Sequence, residues 1–149
     1  MEIWKPNVTV AAVVERDGCF LLVEEETTDG VRFNQPAGHL DEGESLIAAC
    51  VRETLEETAY AFEPTTLVGI YQWPRPQGDL TYLRFAFAGK VGAHDPARRL
   101  DDGILRAVWL TLDEIEACVA RHRSPLVLQC IHDYLAGRRF PLDIIRHHG

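Results

Sequence analysis

From Val8 to Val14 the chain reads VTVAAVV, a short apolar and β-branched run that predicts a buried strand, with Arg16–Gly18 as the turn that ends it. Cys19 to Glu25 follows as the hairpin partner, and Thr27–Gly30 is a second turn. Glu24, Glu25 and Glu26, at the strand's end, are expected to be solvated. Phe33 to Gly43 reads as a loop punctuated by Pro36 and glycines. The period then changes to that of a helix, opening at Glu44 or Ser45 and running to about Thr58. Leu67–Trp73 and Leu80–Val91 read as strands, and in the second Tyr82 and Arg84 alternate with Leu83, Phe85 and Phe87, so one face meets the core and the other lines something polar. A strand is expected over Ile104–Leu112, then a helix capped by Thr111 and Glu114, and a last helix from Ser124 to Gly137. Mixed elements in this order predict an α/β or α+β sandwich.

The 149 residues fit one domain spanning 1–149. No apolar run reaches the roughly 18 residues of a membrane span, so no membrane partner is expected. The start MEIWKPNVTV lacks a basic segment followed by an apolar one, which makes the cytoplasm the expected location. A formal net charge of −8 argues against nucleic acid as a partner. It leaves open an anionic small molecule that arrives with divalent cations, because the ion reverses the local field. Cys19, Cys50, Cys118 and Cys130 are too scattered for a zinc site or a disulfide framework and read as plain thiols. No histidine spacing suggests a metal either.

Chemistry concentrates in the first helix. At about 100° per residue, Glu53, Glu56 and Glu57 share a face with Leu46, Ala49 and Cys50, while Ile47, Val51 and Leu55, with Ala48 beside them, occupy the opposite side. Like charges this close destabilise a helix by roughly 0.2–0.5 kcal/mol per pair, and the macrodipole disfavours acids at the C-terminal end. Only Arg52 lies within the turn to offset them. A solvated acidic helix is one reading. The other is a hard divalent cation, which takes oxygen ligands and substrate phosphates together.

The spacing decides between them. Gly38, Glu44, Arg52, Glu53, Glu56 and Glu57 stand as G-x5-E-x7-R-E-x-x-E-E, which resembles the signature box of the Nudix hydrolases. Thr54 and Tyr60 occupy the two bulky apolar places, and Ala59 replaces the second glycine, so a differently shaped helix end is expected. NQPAGHL before the box, with YQW, LRF and RSPLV after it, is similar to the NudJ subgroup over nearly the whole chain.

The resemblance implies an α/β/α sandwich with a mixed sheet between helices. It implies Mg²⁺, or Mn²⁺, as cofactor, and hydrolysis of nucleoside tri- and diphosphates and of thiamine-pathway pyrophosphates such as hydroxymethylpyrimidine pyrophosphate and thiamine pyrophosphate. It implies Glu53 and Glu57 as metal ligands, Glu56 as a further ligand or the base, a Gly38 carbonyl ligand, and an Arg52–Glu44 pair that orients Glu53. The base in such enzymes often comes from another loop, where Asp101 and Asp102 are candidates, although a plain turn accounts for them equally well. Phe33, Tyr71, Trp73 and Tyr82 are candidates to stack on a ring, and Gln35 and Arg84 to meet phosphate or a ring edge. The expected partner is a small nucleotide or pyrophosphate, with the protein a monomer or homodimer. Two alternatives stand beside this reading. One is another nucleotide class such as ADP-ribose, which Pro74 and Pro76 keep open; the other is a sensor that binds without cleaving.

Overall fold

The computed structural model describes residues 1–149. Its strands are β1 (Asn7–Val13), β2 (Glu15–Arg16), β3 (Cys19–Thr27), β4 (Gly30–Asn34), β5 (Ala37–His39), β6 (Tyr60–Pro74), β7 (Thr81–His94) and β8 (Ile104–Thr111). The helices are α1 (Leu46–Thr58), α2 (Leu112–Ala117) and α3 (Leu126–Leu135), with 3₁₀ turns at Val119–Arg121 and Leu142–Ile144. One sheet runs β5-β1-β7-β6. It is mixed, because β1 and β7 are parallel while the other pairs are antiparallel. The second sheet is antiparallel and places β2 and β4 along β3, which β8 also pairs.

The mixed sheet is buried on both faces, as a parallel pair requires. On one face Val10, Ala12, Phe87 and Leu67 pack against Ala49 and Cys50 of α1. On the other, Val13, Ala86 and Ala88 pack with Phe20, Leu22 and Phe33 of the second sheet, Ile115 of α2, and Cys130 and Ile131 of α3. The expected arrangement of helices flanking a mixed sheet is present, with the second sheet added on the α3 side. The alternation in β7 behaves as its sequence predicts. Arg84 pairs across the strands with Thr9 and Tyr71, Tyr82 pairs with Trp73, and these side chains share the face opposite Phe87.

Three local expectations change. Phe33–Gly43 is not all loop, because its residues 37–39 pair with Thr9–Ala11 as an edge strand. The strand expected from Leu67 begins at Tyr60, and the ladder shifts register between Pro64 and Thr66, where proline cannot donate a hydrogen bond. On α1, Ala48 is exposed although Ala49 and Cys50 behind it are fully buried.

The helix end is the instructive case. Ser45 caps α1 by accepting from the Ala48 N–H, and Ala59 closes it in the left-handed region at φ 63°, its N–H donating to Leu55 O. The expectation of an altered terminus is therefore corrected. Alanine takes the conformation that glycine would supply, at a cost of about 1–2 kcal/mol, and neighbouring contacts hold it there. Those contacts include Asp95 N–H to Ala59 O at 3.0 Å and Asp101 N–H to Glu56 O at 3.0 Å.

Candidate active site

Arg52 organises one half of the helix's acids. Its Nε and one terminal nitrogen bond both oxygens of Glu44, at 2.9 and 2.7 Å, and the other terminal nitrogen reaches Glu53 Oε1 and Glu56 Oε1, each at 2.8 Å. The same guanidinium donates to His39 O at 3.0 Å, tying α1 to β5. This forked pairing uses the planar donor set that only arginine has. It holds the Glu44 carboxyl below its ordinary range and pushes the Arg52 guanidinium above its own.

The other half is unserved. Glu57, only 8% exposed, accepts the Ala37 N–H at 2.9 Å and forms no ion pair. Burial first, then the charges of Glu25, Glu53 and Asp101, push its carboxyl up to about 9. Burial also raises Glu53, against the pull of Arg52, and it raises Asp101, to whose shift the charge of Glu56 adds. Oxygens of Glu53, Glu57 and Asp101 lie within 4.8 Å of one another. Gly38 makes room for them, since a Cβ there would overlap the Glu53 carboxyl group. Three hard oxygen donors with no protein cation on Glu57 or Asp101, and a glycine shaped around the third, fit a divalent ion of the Mg²⁺ or Mn²⁺ kind.

Glu53 and Glu57 line a cleft of about 1290 Å³, and Asp101 adjoins them from outside its lining. Gly38, Glu53, Glu57, Trp73, Tyr82 and Arg84 all line it. The rings of Trp73 and Tyr82 lie 6.1 Å apart and within 16° of parallel, forming an aromatic wall.

Other expected residues are placed elsewhere. Glu56 is outside both the acidic convergence and the cleft lining, because Arg52, four residues before it, holds its carboxylate. Phe33 is a core residue with Arg121 over its ring at 4.5 Å. Tyr71 packs against the α3-side core and donates to Asp133 at 2.7 Å. Gln35 is 1% exposed and binds Val127 O and Arg84 instead of facing the cleft. Asp102 pairs with Arg99 on the surface.

The charge run at the end of β3 also departs from expectation. A bulge between Glu24 and Glu25 leaves Glu25 8% exposed on the cleft, paired with Arg123 at 2.6 Å, while Glu24 bridges Arg106 and Arg121. Glu25, Arg123, Arg32 and Arg75 are cleft residues that the sequence alone did not single out. The β-propensity of the run gave no sign of the bulge that turns Glu25 inward.

Comparison with known proteins agrees with this geometry. The NUDIX domain profile matches residues 4–130. Phosphatase NudJ of Escherichia coli strain K12 is 39% identical over 143 residues, which are 96% of this chain and 92% of that protein. Phosphatase NudJ of Shigella flexneri matches to the same extent. A solved NUDIX hydrolase from Nitrosomonas europaea superposes with a TM-score of 0.94 at 56% identity, covering 97% of this chain and 98% of that one. With Glu53 and Glu57 of the signature lining a cleft and a profile match over most of its length, the chain belongs to the NUDIX hydrolase family.

Proposed function

We propose that the protein hydrolyses phosphoric anhydride bonds in nucleoside tri- and diphosphates and in pyrophosphates of the thiamine type, with Mg²⁺ as cofactor and Mn²⁺ as the alternative. The observation that carries this reading is the convergence of Glu53, Glu57 and Asp101, the first two of which line a cleft large enough for a nucleotide. The 39% identity to proteins named phosphatase NudJ supports the reaction class.

Glu53, Glu57 and Asp101 would hold the cation. Once bound, such an ion neutralises phosphate charge and lowers the pKa of a water molecule. Arg52, fixed by Glu44, keeps the Glu53 carboxylate pointed at the cluster, and partners of this sort are worth about 10–100-fold in metal affinity or activity. The Glu56 carboxylate has one oxygen on Arg52 and its other oxygen on no protein donor, and we assign that second oxygen to accept a proton. Trp73 and Tyr82 provide a flat apolar wall for a base or pyrimidine ring.

The test is hydrolysis of a panel of nucleoside di- and triphosphates, ADP-ribose, hydroxymethylpyrimidine pyrophosphate and thiamine pyrophosphate, with Mg²⁺ or Mn²⁺, read by identifying the products and by orthophosphate where a terminal phosphoryl group is released. Turnover that disappears in Glu53→Gln and Glu57→Gln is expected. Tight nucleotide binding with no turnover on any member would establish the sensor reading instead.

A further inference from the structure

Four arginines line the cleft: Arg32, Arg75, Arg84 and Arg123. Arg123 is matched by Glu25 and Arg75 by Asp79. Arg32 is only half-buried, and one of its terminal nitrogens donates to Val31 O at 3.1 Å. Arg84 is different, being only 6% exposed and forming no ion pair. One terminal nitrogen donates to Gln35 Oε1 at 2.9 Å, with Cys130 Sγ at 3.8 Å, and the other donates to Asn34 Oδ1 at 3.0 Å. All three partners are neutral.

A guanidinium does not lose its proton, and a buried charge without a counter-charge costs several kcal/mol even when hydrogen-bonded. Arg84 Nε donates to no protein group. Thr66 Oγ1 is the one wholly enclosed side-chain nitrogen or oxygen that lacks a partner, so the unpaired Nε is not sealed off, and Arg84 is one of the residues that line the cleft. The amide oxygens of Asn34 and Gln35 hold the guanidinium plane in place. Gln35 is itself anchored to Val127 O at 2.7 Å. The fork is thus oriented in advance, buried, and one anion short.

We propose that Arg84 is the docking cation for a phosphoryl oxygen of the substrate, at a phosphoryl group displaced from the one that the acidic cluster engages. The inference rests on the hydrolase reading for the word substrate, but the anion site stands on Arg84's own surroundings. Arg84 on β7 pairs with Thr9 on β1, and Thr9 pairs with His39 on β5, the strand that carries Gly38 beneath Glu53. Two strand spacings, about 10 Å between backbones, separate the two positions. Arg84, Glu53 and Glu57 line the same cleft, so a di- or triphosphate lying along it meets both positions. A substrate with one phosphoryl group touches only one of them. Arg84 therefore discriminates by phosphate chain length, a selectivity that the aromatic wall does not provide.

Methylenediphosphonate, which cannot be cleaved, is the probe, titrated by calorimetry into wild type, Arg84→Gln, Arg84→Lys and Glu57→Gln, with Mg²⁺ and separately in EDTA. Wild type binds in both conditions, and Arg84→Gln weakens binding at least tenfold in both. Arg84→Lys, which keeps the charge and loses the fork, lies between them. Glu57→Gln loses only the gain that Mg²⁺ brings, so failure of the metal reading leaves the Arg84 result standing. Because Arg84 also ties Asn34 and Gln35 to α3, a second readout uses unaltered protein: the Arg84 Nε–H proton resonance shifts as the diphosphonate is added. An unmoved resonance, an Arg84→Gln protein that binds as tightly as wild type, or a wild type that binds in neither condition overturns the proposal.

Discussion

The carboxylates at the end of α1 divide into two groups that differ in a single respect. Glu44 and Glu56 are bonded to Arg52, whereas Glu57 and Asp101 have no cation at all, and Glu53 belongs to both groups. Burial does not separate them in order, since Glu57 is buried and Asp101 is exposed. The missing counter-charge does. Where Arg52 is present the acids form a structural brace, and Glu44 ionises more readily than an ordinary glutamate. At Glu57 and Asp101 burial first and neighbouring acids next make the carboxyls resist ionising, as burial does at Glu53 in spite of Arg52, and a divalent ion is the group that would resolve their repulsion. Side chains one residue apart on a helix thus differ in their partners, Glu56 keeping one oxygen on Arg52 and Glu57 meeting no cation.

Removing charge from each group is the most direct way to break this division. Glu57→Gln is expected to lower Mg²⁺-dependent phosphate release by roughly 10²–10³-fold, the scale seen when one group that stabilises transition-state charge is lost. It should also remove most of the Mg²⁺-induced rise in melting temperature. Glu44→Gln leaves the cation's ligands in place and loosens only the brace, so about 10–100-fold is expected. Equal losses in the two variants, measured under saturating Mg²⁺, would show that the brace and the centre are one unit.

Gly38→Ala sharpens the comparison, because it leaves every charge intact and moves only one. The added methyl would overlap the Glu53 carboxyl group, which must swing away from Glu57 while keeping Arg52 as a partner. The backbone at Gly38 lies outside the left-handed region, so steric overlap is the dominant consequence. An activity loss of about 10²-fold is expected, with a far-ultraviolet spectrum like that of wild type. Full activity would show that Glu53 does not need the position it occupies.

The brace was legible in the sequence because its members lie within one helix and at its edge. The interval from Glu44 to Arg52 spans two turns, and Arg52 to Glu56 is one turn, so periodicity alone brings them together. The alternation that puts Tyr82 and Arg84 on one face of β7 was legible for the same reason. The centre was less so. Asp101 joins Glu53 and Glu57 from a loop more than 40 residues away, carried there by the pairing of β8 with β3 and by a backbone bond to Glu56, neither of which leaves a local pattern. Three-residue β5 is too short to show a period, yet it supplies Gly38 and the Ala37 N–H that holds Glu57. Nor does identity at a signature position say which neighbour takes the oxygens of Glu56, one of which Arg52 holds.

A titration separates the two groups without testing activity. Glu57 is neutral in the metal-free folded protein up to about 9, whereas in the unfolded chain it ionises above about 4.5. Its folded pKa is raised, so its contribution to stability is complete below the lower value and is lost as pH climbs toward the higher one. In EDTA, the melting temperature of wild type relative to Glu57→Gln is therefore expected to fall between pH 5 and pH 9, by about 2–4 °C for each kcal/mol. Mg²⁺ should restore it most at the alkaline end, since binding releases the proton. A difference that stays flat across this range would mean that Glu57 is already ionised when folded.

The smallest effect concerns what aims both groups. Ala59 sits at φ 63° immediately after α1, and its conformation turns the chain while Asp101 N–H reaches Glu56 O at the helix's last turn. Glycine there relieves about 1 kcal/mol or more of backbone strain, but it gives up a methyl that is almost fully buried, at 3% exposure, worth about 0.8 kcal/mol, and it also frees the unfolded chain. These contributions nearly cancel. Ala59→Gly is therefore expected to shift the melting temperature by no more than about 2 °C and to leave phosphate release within twofold of wild type. A large gain in stability would mean that alanine alone supplied the strain. A large loss of activity with unchanged stability would mean that the methyl, rather than the hydrogen bonds of Asp95 and Asp101, keeps the acids converged.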